Sequence, residues 1–213
     1  IDNDLSRITQ LSLIAELKKL GHDVILASPG KKSEEHEFEH IPLKNGSLRG
    51  LKSRTTAKGI RKISPECDII MVDWRLVTFL KPWLTDSGKP WYLVDRSPPA
   101  DSGILTRLQW RHWTKAWKIC HHGMVVSLSH KDLVIEKTGT RAEIDIIRVG
   151  VDSSRFLCSK KSDGKARFVY IGKVDSNRNV HKLPKLVIDA GGTLLVAGQG
   201  DVLKKLKGKW NSH

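Results

Sequence analysis

Short apolar runs alternating with helix-length segments constrain this chain more than any other feature of its sequence. Buried-type strands are predicted at 24–27, 68–72, 91–94, 124–128 and 144–147, with helical segments between them at about 75–86, 102–119 and 130–138. Runs of this length are strands of a sheet buried on both faces, and their alternation with helices predicts an α/β fold with parallel strands. The longest apolar stretches, 69–72 and 194–197, fall far short of the roughly 18 residues that span a bilayer.

The chain opens on a helical pattern. Leu5, Ile8, Leu11, Ile14, Leu17 and Leu20 recur every three residues, Asn3 or Asp4 stands at the N-cap position, and Gly21 follows the last turn. A strand comes at once, broken by Ser28-Pro29-Gly30. This is the second half of a strand-helix-strand unit, so the chain is expected to begin inside a fold. The stretch 153–165 is polar and reads as a linker. A second unit then has a strand at 168–171, a helix starting near Pro184 and a strand at 193–197, closed by Gly198-Gln199-Gly200 and a Lys-rich helix. The expected organisation is a domain over 1–152, a linker over 153–166 and the start of another domain over 167–213. About 50 residues are too few for a self-sufficient core, so the natural protein is expected to continue past His213.

Ligands of open parallel sheets bind outside the carboxyl ends of the strands, where main-chain N–H groups favour anions. Gly172 and Lys173 end one strand, with Arg178 five residues beyond Lys173, which suits a diphosphate. Gly198, Gln199 and Gly200 end another, where missing side chains let a planar base or a sugar approach the main chain. By spacing alone, both are equally plain turns with solvated cations.

The order of the segments resembles the retaining glycosyltransferases of the GT-B fold, the large family 4 group. Gly-His-Asp-Val-Ile-Leu at 21–26 is similar to that group's Gly-His-Glu-Val. Asp145-Ile146-Ile147-Arg148-Val149-Gly150-Val151-Asp152 with Phe156 resembles its Val-Ile-Pro-Asn-Gly-Val-Asp with a following Phe, with Arg148-Val149 in place of Pro-Asn. The stretch 168–173 followed by Arg178-Asn179-Val180 looks like the strand, Gly-Arg and Lys-Asn-Val of the donor site, and 194–200 looks like its Val-Gly-x-Gly strand end.

The resemblance implies two Rossmann-like parallel-sheet domains, the second truncated here, and transfer of a sugar from a nucleotide-diphosphate donor to an acceptor with retention, as in hexosyltransferases. It implies no metal and no cofactor. Carried over by position, Lys173 and Arg178 with Gly172 clamp the donor diphosphate, Gly198, Gln199 and Gly200 lie on the nucleotide side, and Gly150 sits at the domain junction facing the cleft. The family's paired glutamates would lie past His213, so this chain by itself is expected to be inactive. Where the family often has a histidine beyond the strand ending at Val94, this sequence has Asp95-Arg96-Ser97-Pro98-Pro99. Asp95 and Arg96 are therefore candidates for an acceptor-side, catalytic role, with a structural loop as the alternative.

Charge is the remaining signal. The 213 residues carry 37 Lys or Arg against 23 Asp or Glu, a net +14. The excess is uneven: 44–62 has seven cations and no acid, and 102–131 has no acid either. Arg107, Arg111, Lys115 and Lys118 form one helical stripe, while Trp110, Trp113 and Trp117 fall on another face. Such a helix either lies on an anionic membrane or packs its tryptophans on the sheet and leaves the stripe in water. The second function class is accordingly a basic, non-catalytic GT-B-like module that binds anionic lipid or nucleic acid. Nucleic acid is the weaker partner, because no known binding motif accompanies the charge. Cys67, Cys120 and Cys158 are too scattered for a disulfide framework or a zinc site, which favours the cytoplasm. His121-His122 reads as a surface turn, and Asp73 as the cap of the next helix.

Overall fold

The computed structural model describes residues 8–30, 38–44, 46, 52–64, 66–100, 105–148, 150, 166–175, 178–200 and 202–204. The chain divides into two compact units, Ile1–Val151 and Asp152–His213. The linker reading, Cys158, Phe156 and most of the closing Lys-rich helix fall outside the described residues.

In the first unit, α1 (Ile8–Lys19) leads to β1 (Ile25–Pro29), which pairs in parallel with β2 (Glu39–Leu43). After α2 (Lys52–Ile60) comes a four-stranded parallel sheet, β3 (Ile70–Asp73), β4 (Trp91–Asp95), β5 (His122–Val125) and β6 (Glu143–Ile146), ordered as in the sequence. Its crossovers are α3 (Trp74–Asp86), α4 (Thr106–Ile119) and α5 (Leu128–Thr138). Helix α3 packs between α2 and α4, and α4 also meets α5.

Local chemistry fixes these boundaries. Asp73 starts α3 by accepting the Arg75 N–H at 2.9 Å, the capping role read from the sequence. Ser127 caps α5 by accepting the His130 N–H at 3.2 Å, and Gly139, at φ 58°, ends it. Across the sheet, Val72, Leu93, Gly123 and Ile144 stand in one row. Trp117 lies over that row: a Cβ on Gly123 would come 2.7 Å from its ring. Trp113, Ala116 and Trp117 are wholly buried, whereas Arg107, Arg111, Lys115 and Lys118 are exposed, so the tryptophans pack inward and the stripe is solvated.

Three sequence expectations need correction. Strand β2 and helix α2 are not foreseen, because β2 contains Pro42 and α2 is Lys-, Arg- and Thr-rich, with only Thr56, Ala57 and Ile60 buried. The strands expected at 68–72 and 124–128 run over Ile70–Asp73 and His122–Val125: β3 continues into Asp73, the N-cap of α3, whereas β5 ends early because Ser127 caps a helix that starts at Leu128. His122 belongs to β5, not to a turn, with its ring stacked on Tyr92 at 5.3 Å and Nδ1 3.1 Å from Glu143.

The second unit pairs β7 (Arg167–Ile171) in parallel with β8 (Thr193–Ala197), joined by a 3-10 turn, Val180–Lys182, and α6 (Leu183–Asp189), whose first turn holds Pro184. Val174 and Val180 are its buried centre, packed by Tyr170, Leu183, Val196 and Val202. One sheet face is open, with Val169, its cross-strand neighbour Leu195 and Ile171 at 57%, 64% and 80% exposure.

Candidate functional site

The carboxyl ends of β7 and β8 run on side by side beyond the strands themselves. The Gly172 N–H donates to the Ala197 carbonyl and the Val174 N–H to the Gln199 carbonyl, each at 3.0 Å. The two backbones come so close that a Cβ on Gly198 would fall onto the Gly172 carbonyl oxygen, and one on Gly200 onto the Val174 carbonyl. These glycines are therefore required by main-chain approach. Tyr170 Oη donates to the Lys173 carbonyl at 2.7 Å, pinning the turn from which the exposed Lys173 side chain leaves.

Gly172, Lys173, Asp175, Gly198, Gln199 and Gly200 line one open depression of about 620 Å³. It gathers five of the residues predicted from the sequence. Arg178 is exposed two residues before the 3-10 turn, outside that lining, and its N–H donates to the Asp175 carbonyl at 3.1 Å. Asp175 was not foreseen, and no spacing or motif marks it. Because the Gly172 and Val174 N–H groups are spent on the ladder, the positive charge lining the depression is that of the Lys173 side chain.

Strand ends of the first unit differ in kind. Asp73, besides its capping bond, receives the Arg75 guanidinium at 3.1 Å, and that guanidinium lies 4.4 Å over the Trp74 ring. Asp95 is fully buried: its Oδ2 accepts Trp113 Nε1 at 2.6 Å and Trp117 Nε1 at 2.9 Å, with His130 Nε2 at 3.2 Å. The His130 contact is close but lacks hydrogen-bond alignment, and Asp95 Oδ1 has no partner among the described residues. Asp95 thus faces the core, while Arg96 beside it is half-buried at the surface. Residues 96–100 are tied down by Trp74 Nε1, which donates to the Ser97 carbonyl at 3.1 Å, and by Trp110 Nε1, which donates to the Ala100 carbonyl at 3.3 Å. Gly150 is exposed in open space.

Two titrating groups are displaced. Burial, reinforced by nearby Asp95 and opposed by a backbone hydrogen bond, pushes the Cys120 thiol up to about 12. Burial, then Lys115 and Arg111, lower His112, whose Nδ1 lies 2.7 Å from the Thr78 hydroxyl. Among the described residues no group of three or more His, Cys, Asp or Glu is placed to hold a metal ion.

No family profile matches this sequence, and no curated protein matches it. Solved structures do. A glycosyltransferase from Rickettsia africae ESF-5 matches with a TM-score of 0.57 at 16% identity, over 96% of this chain and 59% of its own. The glycotransferase of kitacinnamycin matches at 0.52 and 12% identity, over 88% of this chain and 61% of that one. Arabidopsis thaliana UGT89C1, complexed with UDP-L-rhamnose, matches at 0.52 and 11% identity, over 90% and 66%. The likeness shows the fold: an α/β chain of parallel sheets of the GT-B type. The chain spans about 60% of the length of the first two structures. Among the described residues no helix is long and apolar enough to cross a membrane.

Proposed function

We propose that the protein is a glycosyltransferase of the retaining, family 4 type, a hexosyltransferase that takes its sugar from a nucleotide diphosphate. The observation carrying this reading is the β7–β8 edge, where glycine-lined main chain and the Lys173 ammonium share one depression in a fold found among glycosyltransferases. One of those, UGT89C1, is complexed with a UDP-sugar.

In the proposed reaction the bond between the anomeric carbon and the diphosphate oxygen breaks, and negative charge grows on the leaving diphosphate. Lys173 and Arg178 offset that charge in place of a metal ion. The acceptor oxygen, from a glycan, a lipid or a small molecule, bonds to the anomeric carbon on the face the diphosphate left and passes its proton to the departing diphosphate oxygen. Gly198, Gln199 and Gly200 serve the nucleotide side, and Gly150 serves as the hinge. The buried Asp95 anchors α4 to the end of β4, so the acceptor-side role falls to Arg96. The cytoplasm is the compartment proposed, since nucleotide sugars and free thiols both suit it.

Calorimetric titration of UDP and GDP into the chain tests the donor site. Binding of one of them, weakening with salt and falling at least tenfold in Lys173→Ala/Arg178→Ala, is expected from the loss of two charge-assisted contacts. Unchanged affinity in the double variant refutes the site.

A further inference from the structure

Charge in the first unit is segregated by helix. Over residues 52–62, 74–86 and 106–119, which contain α2, α3 and α4, the sequence has eleven Lys or Arg and one acid, Asp86. The neighbouring α5 carries two lysines and two acids. The three helices pack side by side, α3 between the others; on α3 Lys81 is exposed, while Arg75 is paired with Asp73. Arg107, Arg111, Lys115 and Lys118 are all exposed along α4, Lys58 is exposed on α2, and Leu108 is 50% exposed in the first turn of α4. Nothing acidic on α4 neutralises the stripe. Its field is felt locally, since Lys115 and Arg111 add to burial in lowering His112.

We propose that this α2–α3–α4 surface docks the protein peripherally on an anionic phospholipid bilayer. The proposal is independent of the donor-site reading. Complementary charge supplies the attraction, and Leu108 beside the stripe offers one shallow apolar contact. Nucleic acid is disfavoured on the same surface because its aromatics are committed elsewhere. Trp113 and Trp117 are buried on the Asp95 carboxylate, and Trp110 packs edge-on against Trp113 at 5.1 Å with its N–H on Ala100. None is free to stack on a base. With the tryptophans inside, the contact is electrostatic and non-inserting, hence reversible by salt.

Co-sedimentation of the full chain with vesicles tests this. Vesicles of phosphatidylcholine with roughly one-third phosphatidylglycerol are expected to pull the chain down at low salt, and pure phosphatidylcholine vesicles are not. Removing one surface cation costs about fivefold in partitioning, so Arg107→Gln/Arg111→Gln/Lys115→Gln/Lys118→Gln should lose several hundredfold. A control with as many charges removed elsewhere, Lys137→Gln/Arg141→Gln/Lys182→Gln/Lys185→Gln, should lose far less, and circular dichroism verifies that both variants are folded. Equal binding to both vesicle types, or equal losses in the two variants, overturns the proposal. Tighter stripe-dependent binding to a single-stranded oligonucleotide than to the anionic vesicles overturns the choice of lipid.

Discussion

Replacing Asp95 should be the most damaging single polar substitution in the first unit. Its Oδ2 accepts two indole N–H groups, at 2.6 and 2.9 Å, and the residue has no exposed surface. Hydrogen bonds to a charged group are each worth about 1.5–3 kcal/mol, and neither indole can turn to water once the carboxylate is gone. Asp95→Ala should therefore cost about 3–6 kcal/mol, a large share of the roughly 5–15 kcal/mol that holds a domain folded. Asp95→Asn keeps an acceptor where Oδ2 stands and should cost roughly half as much. Thermal unfolding followed by near-ultraviolet circular dichroism of the buried tryptophans reads the effect, at roughly 3 °C for each kcal/mol in a unit of this size. A third variant separates bonding from packing. Asp95→Leu/Trp113→Phe/Trp117→Phe removes the buried donors along with their acceptor and should recover part of the loss seen in Asp95→Leu alone. The reasoning is refuted if Asp95→Ala melts within about 2 °C of the natural sequence.

Gly198→Ala and Gly200→Ala should each force the β7 and β8 ends apart, because the added methyl lands on main chain rather than on a movable side chain. We expect faster hydrogen exchange at the Gly172 and Val174 amides and weaker nucleotide binding, with the melting of the first unit unchanged. For the thiols, a Cys120 pKa near 12 leaves almost no thiolate at pH 8, and the group is buried besides. Iodoacetamide should alkylate the half-buried Cys67 in the folded chain and reach Cys120 only when denaturant is added, as mass spectrometry of the peptides would show.

How far these features were legible depended on whether local pattern or distant contact fixed them. Strands β3 to β6 were foreseen because runs such as Ile69-Ile70-Met71-Val72 declare a buried parallel strand without help from elsewhere. Helix α2 was not, since its amphipathicity rests on Thr56, Ala57 and Ile60 against a polar background. At the candidate site, Gly172, Lys173 and Gly198–Gly200 were named because ligands of parallel sheets bind beyond strand ends and glycine there leaves the main chain open to them; that the two strand ends meet each other at these glycines appears only in the fold. Asp175 could not be, since it joins them only once the two strand ends run together. Asp95 was singled out for its position after a strand. Its orientation toward Trp113 and Trp117, residues 18 and 22 positions away in the chain, is a property of packing that no spacing announces.

The open face of the β7–β8 sheet ties recognition to conformational equilibrium. Val169, Ile171 and Leu195 contribute little to holding the two strands together while they face water, so the ladder that aligns Gly172 with Gly198 rests on a small core around Val174 and Val180. A ligand that needs both edges in register binds only the fraction of molecules in which they are aligned, and its apparent affinity falls by that fraction. Whatever shelters those three side chains would therefore tighten nucleotide binding without touching the nucleotide.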